Sequence, residues 1–100
     1  RILQPDLMVW RDGMVDTATP IATAPTLVVE ILSRHGAYDR IAKRLMYAEG
    51  GVPEYWIVDP MARNIEKVRG LETVGMVNER LLSEELPGFE LDVAAFFPPR

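Results

Sequence analysis

The chain has 100 residues, 48% of them apolar and 26% charged, with a formal net charge of -4, which makes it one small domain or part of one. The acidic balance argues against an extended basic grip on nucleic acid, although carboxylates that hold a cation, with a few arginines holding a strand, remain compatible with it. Having no cysteine, the chain excludes disulfides, thiolate zinc sites and cysteine nucleophiles together.

Taken in order, the chain begins at Arg1 on what already resembles the approach to a strand, so further sequence upstream is expected. No apolar run approaches the roughly 18–20 residues of a membrane span and no charged-then-apolar leader points to secretion, so a cytoplasmic protein without a membrane segment is expected. Pro5-Asp6-Leu7-Met8-Val9-Trp10 reads as a strand, with Asp6, Met8 and Trp10 on one face. Asp12-Gly13 turns the chain, and residues 14–25, small, polar and broken by Pro20 and Pro25, read as a surface loop. A second strand follows over residues 27–33, and a helix over residues 37–49 ends at Gly50-Gly51. Ser33 is a candidate cap and Asp39 sits near the first turn. The i, i+3, i+4, i+7 spacing of Tyr38, Ile41, Ala42, Leu45 and Ala48 predicts the face that packs on a sheet.

Tyr55-Trp56-Ile57-Val58-Asp59 is the next strand, and strand, helix, strand over this length predicts a crossover between parallel strands. Residues 65–69 alternate as if one face were wet and one dry, antiparallel to the strand before them. A weaker extended segment covers 73–77, residues 79–85 are ambiguous, Leu86-Pro87-Gly88-Phe89 turns, and 90–93 with 94–97 read as a short strand and an apolar cap. One α/β domain covering residues 1–100 is the expectation.

Within the strand at 27–33, side chains alternate, so Val28, Glu30 and Leu32 share a face and Glu30 interrupts an apolar run. Burying that carboxylate unpaired would cost several kcal/mol, on the order of the penalty for isolated buried polar groups, so Glu30 needs a cation, a base, a proton or an open cleft. Asp6, Glu30, Asp59 and Lys43 form the sharpest constellation. Two carboxylates on adjacent strands can hold Mg²⁺ or Mn²⁺, which take oxygen ligands and keep waters, and a nearby lysine can orient water or stabilise charge on a phosphoryl oxygen.

Pro5-Asp6, followed after twenty-odd residues by Glu30 in an apolar strand, resembles the PD-(D/E)XK nuclease superfamily. Pro5-Asp6-Leu7, Val29-Glu30-Ile31-Leu32-Ser33, then Asp39, Lys43 and Tyr47 at four-residue intervals resemble its Uma-type restriction endonuclease branch. Gly51-Val52-Pro53-Glu54-Tyr55-Trp56-Ile57-Val58-Asp59-Pro60, Leu86-Pro87-Gly88-Phe89 and Phe96-Phe97 extend the match over nearly the whole chain. The resemblance implies a restriction-endonuclease-like mixed sheet with a flanking helix. It also implies metal-dependent hydrolysis of DNA phosphodiester bonds, with Asp6 and Glu30 as ligands of Mg²⁺ or Mn²⁺. The lysine that the superfamily carries two residues after its glutamate is Leu32 here, and Lys43 matches the helix lysine that is the usual replacement. The branch's upstream helix and first strands are not in these 100 residues. A catalytically inactive member, serving as an oligomerisation or binding module, is the alternative.

At about 100° per residue Lys43 falls roughly 160° from the centre of the apolar stripe, which predicts that it points away from the sheet; its long stem can snorkel or meet upstream elements on that second face, and the alternative is an ion pair with Asp39 on a solvated face. Asp59 reads first as the start of an Asx-type turn and second as a carboxylate supporting the site. His35 reads as a solvated loop residue. Arg34, Arg40 and Arg44 read as a solvated helix face or as phosphate contacts, and Tyr55 and Trp56 as core aromatics. Without the upstream elements the sheet and helix would expose apolar surface, which predicts a homodimer or larger assembly.

Overall fold

A computed structural model describes residues 5–11, 24–33 and 40–99. The expected Asp12-Gly13 turn, the 14–23 part of the loop, His35, Arg34 and Asp39 lie outside them, as does the side chain of Arg40. Five strands form one mixed sheet in chain order: β1 (Leu7–Val9), β2 (Leu27–Ile31), β3 (Glu54–Asp59), β4 (Asn64–Arg69) and β5 (Glu72–Val77). Only the β2–β3 pair is parallel, and helix α1 (Arg40–Glu49) lies between those strands in the chain. The other pairs are antiparallel, as a turn between consecutive strands permits. The expected α/β mixed sheet with a flanking helix is the fold.

The two faces of the sheet are covered differently. Val28, Tyr55, Ile57 and Val68 gather with Tyr47 of α1 and with Val52. On the opposite face Leu27, Val29, Trp56, Val58 and Ile65 pack against Leu81, Val93 and Phe97. Those last three come from a small second layer, in which β6 (Arg80–Leu82) pairs antiparallel with β7 (Glu90–Asp92) and helix α2 (Val93–Phe96) follows. The ambiguous residues 79–85 thus contain a strand, and the apolar cap at 94–97 is largely a helical turn begun by Asp92, whose carboxylate accepts from Ala95 N.

Helix α1 ends as the paired glycines predict. Gly51, at φ 83°, takes the left-handed position; its N–H reaches Ala48 O and that of Val52 reaches Tyr47 O, the two bonds of a Schellman stop. Asp59 carries out the turn role: its Oδ1 accepts from Met61 N at 3.0 Å and Ala62 N at 3.1 Å.

Three polar tethers hold residues 82–85 to the sheet. Glu54, fully buried, accepts from Ser83 Oγ, Glu85 N and Trp56 Nε1. Lys67 donates to Leu82 O and to Glu84, while Arg69 donates to Glu85. These contacts correct the wet-and-dry reading of 65–69: Glu66 and Lys67 are both buried. Charged residues on both faces of β4 are themselves buried and paired, Glu66 with Arg44 and Lys67 with Glu84, so alternation of polarity there does not report exposure.

Candidate active site

Glu30 lies on the second of five strands rather than at an edge, and only 6% of it is exposed. It faces α1. Lys43 Nζ sits 2.9 Å from its Oε2, and the Tyr47 hydroxyl donates to the same oxygen at 3.0 Å. The Lys43 ammonium also stands 5.9 Å from the centre of the Tyr47 ring, which in turn packs on Tyr55 with ring centres 4.8 Å apart. Lys43 and Tyr47 are one helical turn apart, so a single face of α1 brings both to the carboxylate.

That placement corrects the expected rotation of the helix. Lys43 does not point away from the sheet; its predicted partner Asp39 is outside the described residues. Ile41 and Leu45, expected to face the sheet, are 81% and 48% exposed, whereas Tyr47 is at 2%. Nor is Arg44 on a solvated face or free for phosphate, because it pairs with Glu66 on β4. The face that α1 turns to the sheet thus carries Lys43 and Arg44 to two buried carboxylates, beside the buried Tyr47.

Asp6 precedes β1. One register step beyond the Leu7–Val29 pair, it comes opposite Glu30 on the neighbouring strand. Its Oδ2 accepts from Ile31 N at 2.7 Å, which ties it to the end of β2. Glu30 thus lies on β2 and Asp6 one residue ahead of β1, and among the described residues each has one oxygen engaged by the protein: Glu30 through Oε2, Asp6 through Oδ2. Neither Glu30 Oε1 nor Asp6 Oδ1 takes part in those bonds. Among the described residues no group of three or more histidine or acidic side chains gathers as a ligand cluster. By donor chemistry alone, a pair of carboxylates fits a hard divalent cation that retains water and suits zinc poorly.

The chain matches, over residues 1–94, the family model of Uma2, described as "Putative restriction endonuclease". It belongs to the Uma2 family. Among solved structures, a chain described as a putative nuclease belonging to DUF820 from Anabaena variabilis ATCC 29413 resembles this Uma2 chain with a TM-score of 0.62. The two are 21% identical over 82% of this chain and 51% of that one, so the likeness is one of fold, and the Uma2 chain spans about half of that neighbour's length. No curated protein matches significantly.

Tyr47 entered the sequence analysis only as part of a four-residue spacing, and its contact with Glu30 gives that spacing a physical content. Arg44 and Glu66 were not read as partners. No local signal could pair them, since their meeting depends on the register of β4 against β3 and on the rotation of α1. Asp59, with Oδ1 committed to its turn, is not brought to Glu30 by any contact.

Proposed function

We propose that this Uma2 chain carries the metal-dependent site of a cytoplasmic PD-(D/E)XK-type endonuclease that hydrolyses DNA phosphodiester bonds, with residues 1–100 forming one restriction-endonuclease-like domain. The observation that carries the reading is the Lys43–Glu30 contact, on a strand next to the one that Asp6 precedes. Glu30 Oε1 and Asp6 Oδ1 would hold Mg²⁺ or Mn²⁺, which when bound lowers the pKa of water and offsets charge on a phosphoryl oxygen. Tyr47 restrains the rotamer of Glu30 by donating to Oε2, a bond in which Oε1 takes no part. Lys43, 31% exposed in its side chain, reaches both the carboxylate and solvent, where its ammonium can orient a water or stand against the growing charge of the scissile phosphate. It takes the place of the lysine absent at Leu32.

Plasmid nicking with Mg²⁺ or Mn²⁺ tests the reading. Wild type is expected to nick, and Glu30→Gln, Asp6→Asn and Lys43→Met to lose at least a hundredfold in rate, the scale of a removed charge-stabilising group. Nicking that survives Glu30→Gln contradicts it.

A second reading rests on the same contact. Lys43 and Tyr47 already satisfy Glu30 Oε2, so the charge is compensated without a metal, as in an inactive module that assembles or binds. In either case we infer a homodimer or larger homo-oligomer, supported by the exposed Ile41, Leu45 and Leu71 around a surface hollow of about 490 Å³ on the outer side of α1. Light scattering at micromolar concentration should give at least twice the chain mass, falling to one chain in Ile41→Glu/Leu45→Glu; a monomeric wild type contradicts the assembly.

A further inference from the structure

Lys43 and Arg44 are consecutive on α1, and the two carboxylates they meet lie at one level of the sheet. Glu30 is in register with Ile57 and Ile57 with Glu66, so Glu30 and Glu66 flank the middle strand β3 on the face that α1 covers. Adjacent helical side chains diverge by about 100°. Two adjacent cations can therefore straddle β3 when the helix lies over it with the space between positions 43 and 44 turned down, toward the fully buried Ile57.

The two ends of this clamp are built differently. At the far end Arg44 pairs with Glu66, donates to Thr73 Oγ1 at 2.7 Å and to Leu71 O at 3.3 Å, and Thr73 in turn donates to Glu66. A planar guanidinium engaged by three acceptors is fixed in direction as well as place. At the near end Lys43, a point charge on a flexible stem, meets one carboxylate and an aromatic ring. The rotation adopted leaves Ile41 at 81% and Leu45 at 48% exposure, the opposite of what their stripe favours. Burial of Ile41 and Leu45 does not set it; Tyr47 is the large apolar anchor on the sheet side, and of the two charged ends the Arg44 end is the more extensively bonded.

We infer that Arg44, Glu66 and Thr73 are positioning residues that set the rotation of α1 and thereby deliver Lys43 to Glu30. The inference rests on the proposed nuclease site only for what Lys43 does once delivered; the delivery itself is a property of the metal-free chain. It makes Glu66, 36 positions beyond Glu30 in the sequence, part of the same device.

A double-mutant cycle reads the delivery directly. Lys43→Met, Glu30→Gln and the pair are unfolded in urea without metal, first in the wild-type background and then in Glu66→Gln, Arg44→Met and Arg44→Lys. The Lys43–Glu30 coupling is expected to lose more than half its value in Glu66→Gln and Arg44→Met and to be largely kept in Arg44→Lys, which preserves the charge opposite Glu66. A cluster that merely stabilises the fold would lower the midpoint and leave this coupling unchanged, and that result overturns the inference. Should Glu66→Gln or Arg44→Met fail to fold, Thr73→Val, at an exposed position, replaces it in the same cycle with the same two outcomes. Loss of nicking in every background, with the coupling behaving as expected, would count against the nuclease reading alone.

Discussion

A glutamate inside an apolar strand raises one question at the scale of the residue: what compensates its charge. Lys43 and Tyr47 answer it through Oε2, one with a counter-charge and the other with a hydroxyl. Removing one partner of a buried pair characteristically costs about 3–5 kcal/mol, because the charge left behind cannot be solvated. Glu84 is the contrasting case. Its side chain is 54% exposed, and hydrogen bonding from Lys67 holds its carboxyl below the ordinary value of 4.5 against the opposing effect of desolvation. A depressed carboxyl contributes stability that is whole above its unfolded value and is lost as pH falls through the folded one. Urea unfolding should therefore show wild type losing part of its margin below pH 4.5, and Glu84→Gln losing less over the same interval, with the difference shrinking in high salt. Identical acid profiles would remove Lys67–Glu84 from the account.

Helix α1 is the element on which sequence and structure part. Its existence, its glycine stop and its place between two parallel strands are legible from spacing and punctuation. Its rotation is not. Periodicity assumes that the surface beneath a helix is uniformly apolar, whereas here that surface carries Glu30 and Glu66 among Val28, Ile57 and Val68. The same assumption fails on β4, where Glu66 and Lys67 look solvated and are each covered from opposite sides of the sheet. Stability measurements on the dissociated chain distinguish the two rotations. Ile41→Lys should change unfolding free energy by no more than about 0.5 kcal/mol, and Tyr47→Ala should cost about 3–5 kcal/mol. The reverse ranking would restore the rotation read from the stripe.

Taken whole, the molecule is a five-stranded mixed sheet with α1 on one face and the β6–β7–α2 layer on the other. The parallel β2–β3 pair and the antiparallel β4 are legible in the sequence, and Asp6 and Glu30 stand out there as candidates, because each is marked locally by an apolar run, a proline or a glycine; the place of β1 beside β2, and with it the full strand order, is not. What could not be read are the pairings that cross the fold, Glu66 with Arg44 and Glu54 with Ser83, since each joins residues more than twenty positions apart through a register that no local pattern encodes. No described helix is long and apolar enough to cross a membrane. The chain belongs to the Uma2 family, and the central claim of the proposed function is that Asp6 and Glu30 together hold a divalent cation. Calorimetric titration of Mn²⁺ into wild type, Glu30→Gln and Asp6→Asn tests that claim most directly. A saturable heat in wild type that vanishes in Glu30→Gln and weakens at least tenfold in affinity in Asp6→Asn is the predicted result, on the scale of about 1.4 kcal/mol or more per lost ligand. Equal, negligible heats from all three proteins would contradict it.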